Sequence, residues 1–97
     1  MGENLKILKG SKSKVRVRED LYQQLSQALL RVIPRHEDGV RLLDIPERLK
    51  GNLSSKLWKG LSLKWHIMVV KLDLEARKMI GRVPGSRPQR LRRLVTY

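Results

Sequence analysis

The segment KWHIMVVKLDLEARKMIGRVPGSRPQRLRR, residues 64–93, carries two patterns end to end. On a helical wheel Trp65, Met68, Val69, Leu72, Ala76, Met79 and Ile80 share one face, which predicts a helix over 63–79 with that face buried. Lys64, Lys71 and Lys78 recur every seven residues as a stripe. Ile67, Val70 and Leu74 make a second, narrower apolar strip. A helix apolar on two sides is either sandwiched in its domain or touches another molecule. The pattern then changes. Met79–Val83 and Gln89–Val95 flank Pro84-Gly85-Ser86-Arg87-Pro88, whose turn chemistry predicts a β-hairpin. Leu91 and Val95 can face the body while Arg90 and Arg92 face out, and Arg93 breaks the alternation.

Upstream, residues 52–61 admit two readings. Ser54 can cap a helix that runs unbroken from Ser55 to Met79, but Gly60 and Ser62 favour a break, since a glycine inside a helix costs about 1 kcal/mol relative to alanine. Before this, Asp44 followed by Glu47, with Pro46 in the first turn and Gly51 past the end, predicts a short helix over 45–50. Val40–Leu42 reads as a short extended segment. A longer helix is expected from Glu19 to Ile33: Leu21, Leu25, Ala28, Leu29 and Val32 form one stripe, widened by Tyr22, Leu30 and Ile33, and Pro34 stops it. Residues 1–18 read as a basic, partly flexible arm, with residues 19–97 as the folded domain. Leu5, Ile7 and Leu8 can pack on the body or form a strand, and Val15–Arg18 alternates as a strand does without an evident partner.

Ninety-seven residues suffice for one small domain. The core must be Leu, Ile, Val and Met, because there is no Phe and the aromatics are Tyr22, Trp58, Trp65 and Tyr97. Absence of cysteine excludes disulfides and thiolate metal sites and fits a reducing interior. The longest apolar run, Ile67–Val70, is far too short to span a bilayer, and the basic N-terminal stretch has no apolar segment of the length expected for a secretory signal. A cytoplasmic location is the expectation.

The net charge of +13 is unevenly spread. Residues 1–18 hold six basic side chains and one acid, residues 81–97 five arginines and no acid, and the 62 residues between them eleven bases and eight acids. A near-neutral body with basic ends is the electrostatic footprint of a polyanion binder. Neither end forms an amphipathic helix with a large apolar face, so no membrane partner is expected.

Helix, short strand, helix, helix and hairpin resembles the winged helix-turn-helix superfamily over about residues 20–95. Two pieces carry the resemblance: GVRLLDIPERL (39–49), similar to the strand-and-second-helix signature, and VKLDLEARKMIGR (70–82), similar to the step from recognition helix into wing. Trp65 with Leu72–Ala76 also resembles a small, functionally uncharacterised prokaryotic group of winged-helix-like proteins. The chain departs from the superfamily in having Lys78 where glycine commonly ends the third helix, and in the long connection before that helix. The resemblance implies an α+β winged helix of three helices, a short strand and a C-terminal hairpin wing. It also implies duplex DNA as partner, with Lys64, Lys71, Arg77 and Lys78 of the third helix at the major groove. Arg82, Arg87, Arg90 and Arg92 of the wing would then reach the adjacent backbone or minor groove, while Lys12, Lys14, Arg16 and Arg18 of the arm track phosphates.

The residues themselves weigh these positions differently. Glu75 lies four residues from Lys71 and three from Lys78, and Asp73 four from Arg77, so the helix cations read equally well as self-paired on a solvated face. The wing arginines have no acid nearby, and folding gives no reason for them. Two rival readings stay open: an RNA- or ribosome-associated protein, with Trp58 or Tyr97 stacking on bases, and a protein-interaction or homodimeric winged helix that uses Ile67, Val70 and Leu74 as its interface. No enzyme, metal or cofactor is expected, since His36 and His66 belong to no ligand or nucleophile spacing. No phosphate-cradling glycine loop is present.

Overall fold

The computed structural model describes residues 4–10, 15–35 and 38–94. Three helices and two small antiparallel sheets make up an α+β fold. A hairpin of β1 (Leu5–Leu8) and β2 (Val15–Arg18) runs directly into α1 (Glu19–Val32). Next, β3 (Val40–Arg41) leads through one 3-10 turn at Leu42–Asp44 into α2 (Ile45–Arg48). A run of turns then precedes α3 (Leu63–Ala76), and β4 (Ile80–Arg82) and β5 (Arg90–Arg93) close the described chain. The second sheet has the order β3-β5-β4, so the last strand is its centre.

α1 forms as its pattern predicts. Glu19 and Asp20 complement the dipole in the first turn. Leu21, Tyr22, Leu25, Ala28 and Leu29 are buried along one face. Pro34 ends the helix, and Arg93 completes the end: its Nε donates to Ile33 O at 2.9 Å and its backbone N–H to Pro34 O at 2.7 Å. The pairs Ile80↔Arg93 and Arg82↔Leu91 put Arg93 on the same sheet face as buried Leu91, so the broken alternation has a structural reason. A cation there also suits the negative end of the helix dipole.

Three expectations need correction. The arm expected over 1–18 is, in its described part, the β1–β2 hairpin, with Leu5 opposite Arg18 and Leu8 opposite Val15. Leu8 and Val17 join the core. Gly10 (φ +84) lies so close to α3 that a Cβ would stand 2.5 Å from Leu72 O. Lys12 and Lys14 fall outside the described residues. The second correction concerns the helix expected over 45–50. It spans only Ile45–Arg48, and Asp44 makes no side-chain cap. Arg41 takes that carboxylate instead, donating from Nε and Nη2 at 2.8 and 3.1 Å.

The third correction is the rotation of α3. The chain does break at Gly60 (φ +74), and Ser62 Oγ caps the new helix by accepting from Trp65 N–H at 3.3 Å. Yet Ile67, Val70 and Leu74, read either as sandwiched in the domain or as a possible partner strip, lie at 4%, 0% and 1% exposure in the core, as the first reading has it. Trp65 and Met68, expected inside, are 46% and 60% exposed. The helix also ends at Ala76 rather than Met79.

Asp73 explains the rotation. It is fully buried, and its Oδ1 accepts from the backbone N–H of Lys9 at 2.8 Å. Its Oδ2 accepts from the Tyr22 hydroxyl and from Arg77 Nε, the latter at 2.9 Å. Burial alone would raise the Asp73 pKa, but the Lys9, Tyr22 and Arg77 donors outweigh it and hold the carboxyl below its ordinary range. Tyr22 moves the other way: burial, then the Asp73 hydrogen bond, push it up to about 12.

These shifts give the fold two pH limits. Asp73 has a folded pKa below its unfolded one, so its contribution is present above about pH 4 and lost as pH falls through the folded value. Tyr22 has a raised folded pKa, so its contribution is intact below pH 10 and lost on rising toward about 12. Asp73→Asn should cost about 2–4 kcal/mol at neutral pH and flatten the acid limb of a plot of Tm against pH, read by circular dichroism. An acid limb as steep as wild type would take Asp73 out of this role.

Candidate nucleic-acid interface

The basic side chains proposed from the sequence separate into spent and available groups. Arg77 is held by Asp73. Lys71 is only 5% exposed, with Nζ 2.8 Å from Glu75 Oε1. Arg18 donates to both carboxylate oxygens of Asp20, at 3.1 and 2.6 Å. By contrast Arg16, Lys64, Lys78, Arg87 and Arg92 make no side-chain hydrogen bond or ion pair among the described residues.

The β3-β5-β4 sheet sorts its arginines by strand alternation. Arg41 pairs with Arg90 and Gly81 with Arg92, so Arg41, Arg90 and Arg92 share the face opposite the core. Asp44 neutralises Arg41, and Arg90 Nη1 reaches Asp38 O at 3.4 Å. Arg87 stands on the exposed turn beyond. Ser86 fixes that turn, its Oγ donating to Val83 O at 2.7 Å and accepting from Arg90 N–H at 3.0 Å. Arg82 belongs to the other face, opposite Leu91, with Nε 3.6 Å from Glu75 Oε2. With the Gln89 amide turned so that its oxygen meets Arg82, Nε donates to it at 2.8 Å.

Arg82 thereby lies at one end of an open groove lined by Leu42, Leu43 and Pro46 on one side and Lys64, Met68, Lys71 and Leu72 on the other. Leu43 is 75% exposed. The outward side of α3 is therefore mainly apolar.

The residues considered for stacking and catalysis also find their places. Trp58 is buried, its indole N–H donating to Gln24 Oε1 at 2.8 Å, while Tyr97 and His36 lie outside the described residues. The exposed aromatic is Trp65, which the sequence reading placed in the core. His66 packs edge-on against Trp58 and Trp65, with Nδ1 2.7 Å from Ser62 O. Among the described residues no three His, Asp or Glu side chains gather as metal ligands, and no helix is long and apolar enough to cross a membrane.

The model of DUF6958, described as a family of unknown function, matches residues 4–91. The chain belongs to this family. The match takes in the N-terminal hairpin together with the three helices and most of the second sheet, so the DUF6958 unit includes what the sequence alone suggested was an appended arm. Neither a curated protein nor a solved structure matches the chain.

The junction between α3 and β4 concerns Lys78 directly. Met79 N–H donates to Leu74 O at 3.0 Å and Lys78 N–H to Glu75 O at 3.0 Å, the paired bonds of a Schellman ending. Lys78 occupies its left-handed position at φ 62, where a Cβ costs about 1–2 kcal/mol. Lys78→Gly should relieve that strain at a smaller entropic cost, a net gain of about 0.5–1 kcal/mol and a Tm rise of about 2–6 °C. Lys78→Ala keeps the Cβ and should show no such gain. Both variants lose the charge, so a fall in nucleic-acid affinity common to both would identify Lys78 as a contact.

Proposed function

We propose that this protein is a winged-helix nucleic-acid-binding module that grips duplex DNA mainly through its wing. Topology supports the architecture: a strand between the first two helices pairs with the last strand, which in turn pairs with the strand leaving the third helix. On this reading β4 and β5 are the wing. The observation that carries the function is the set of arginines at the wing, Arg90 and Arg92 on its outer face and Arg87 at its tip. Arg87 and Arg92 have no counter-charge among the described residues.

Such a surface suits phosphate contact rather than base reading. Charge without a folding partner adds self-repulsion to a chain already at +13, and a polyanion removes that cost by releasing its condensed counterions. Insertion of α3 into a major groove is disfavoured, because its outward side presents Trp65, Met68 and Leu72 while Lys71 and Arg77 are engaged inside. Arg16 and Lys78 are exposed cations beyond the wing that extend the contact. RNA with unpaired bases is the competing partner: Trp65, 46% exposed, offers such bases a stacking surface.

Fluorescence titration with duplex DNA, duplex RNA and single strands over a range of salt tests this. Log K should fall linearly with log salt, steepest for duplex DNA. Arg87→Ala with Arg92→Ala should lower the slope by about 1.8, that is ~0.9 for each lost phosphate contact, and leave Tm unchanged. A slope equal to wild type would remove the wing from the interface.

A further inference from the structure

We infer that the groove between α2, α3 and β4 docks an acidic amphipathic segment of another protein. Its apolar side chains would sit on Leu43, Met68 and Leu72, and its carboxylates would meet Lys64 and Arg82. This inference stands apart from nucleic-acid binding, since the groove and the outer wing face lie on opposite sides of the same two strands.

The floor is the first argument. Leu43 and Met68, 75% and 60% exposed, both line the groove, with Leu42, Pro46 and Leu72 continuing the apolar surface. Such a floor has no donor for a phosphate, but it fits the apolar stripe of a helix or strand. Unlike scattered exposed leucines, which need no explanation, a continuous apolar strip framed by charge is the signature of a binding groove.

The charge is the second argument, and it selects the partner's sign. Three cations line the groove, and among the described residues Glu75 is the sole carboxylate that meets any of them. Lys71 and Arg82 both depend on it, at 2.8 and 3.6 Å. Lys71 is nearly buried and holds Glu75 the more closely, which leaves the exposed Arg82 and Lys64 to set the partner's sign. Lys64 has no counter-charge among the described residues and Arg82 has only the more distant Glu75, so a partner's carboxylate adds a charge-assisted bond to each. A second copy joined through this same patch would set its own Lys64 and Arg82 against a groove of the same sign, since a two-fold interface uses one patch on both subunits.

Methionine-methyl NMR reads the site directly, because Met68 lines the groove and Met79 does not. The probe is a synthetic helix of about four turns with Leu at helical spacing and Glu between, added to full-length protein. The Met68 methyl signal should shift saturably while Met79 stays fixed. Leu43→Ser and Lys64→Glu, both at exposed positions, should each weaken binding about tenfold without moving Tm. The Arg87→Ala/Arg92→Ala protein should bind the probe as wild type does. Equal binding of a copy with Lys for Glu, or of one with Ser for Leu, would overturn the inference, as would an unmoved Met68. Movement of Met68 with protein concentration alone would reassign the groove to a second copy. Movement with duplex DNA alone would reassign it to nucleic acid.

Discussion

The buried carboxylate of Asp73 is the interaction on which the arrangement depends. It sits on the third helix and gathers a backbone N–H from the end of the first strand, a hydroxyl from the first helix and a guanidinium from its own last turn. A lone carboxylate at zero exposure would be costly enough to stay protonated, and three donors make the charged form the stable one. The same atoms fasten the N-terminal hairpin to the helical body. Next to it, Gly10 lies directly on the Leu72 carbonyl, where no side chain fits.

Asp73 also sets which way the third helix faces. With position 73 turned inward, Val70, Leu74 and Ile67 follow onto the core side at helical spacing, and Lys64, Met68, Leu72 and Trp65 are carried to the outside. Wheel arithmetic on the sequence instead treats Asp73 and Arg77 as a solvated pair and buries the wider face with the tryptophan. Periodicity gave the helix its existence and its start. It could not supply the rotation, because that depends on Lys9 and Tyr22, which are 64 and 51 residues away. The first helix and the C-terminal hairpin were legible for the opposite reason, since a stripe ended by Pro34 and a Pro-Gly-Ser turn are local signals. The N-terminal hairpin was hidden because its four-residue strands meet across a basic segment, and neither alone carries more than two alternations.

A similar reason governs the candidate site. Counting cations overstates the surface, since Arg18, Arg41, Lys71 and Arg77 are matched by Asp20, Asp44, Glu75 and Asp73, and Arg93 is used to finish the first helix. An acid three or four residues away was a usable warning for Arg41, Lys71 and Arg77. Nothing near Arg93 in sequence announced that the end of α1 would come to it. What remains after this subtraction includes Arg87 and Arg92 on the C-terminal hairpin, with Arg16, Lys64 and Lys78 on other elements.

Strand alternation then separates two chemistries within one hairpin. Arg93 and Arg82 share the core-side face with Leu91, one closing a helix end and the other reaching the groove beside Glu75. Arg90 and Arg92 point the opposite way, opposite Arg41 and Gly81. The glycine matters here, because Leu94 packs over it and a Cβ would crowd that side chain at 3.2 Å. A one-residue slip of β5 against β4 would turn both arginine sets over, burying Arg90 and Arg92 and exposing Leu91. Register is therefore what keeps the outer-face arginines apart from the apolar groove. It is pinned from outside the hairpin, by Arg93 on the end of α1 and by the pairing of Val40 with Leu91.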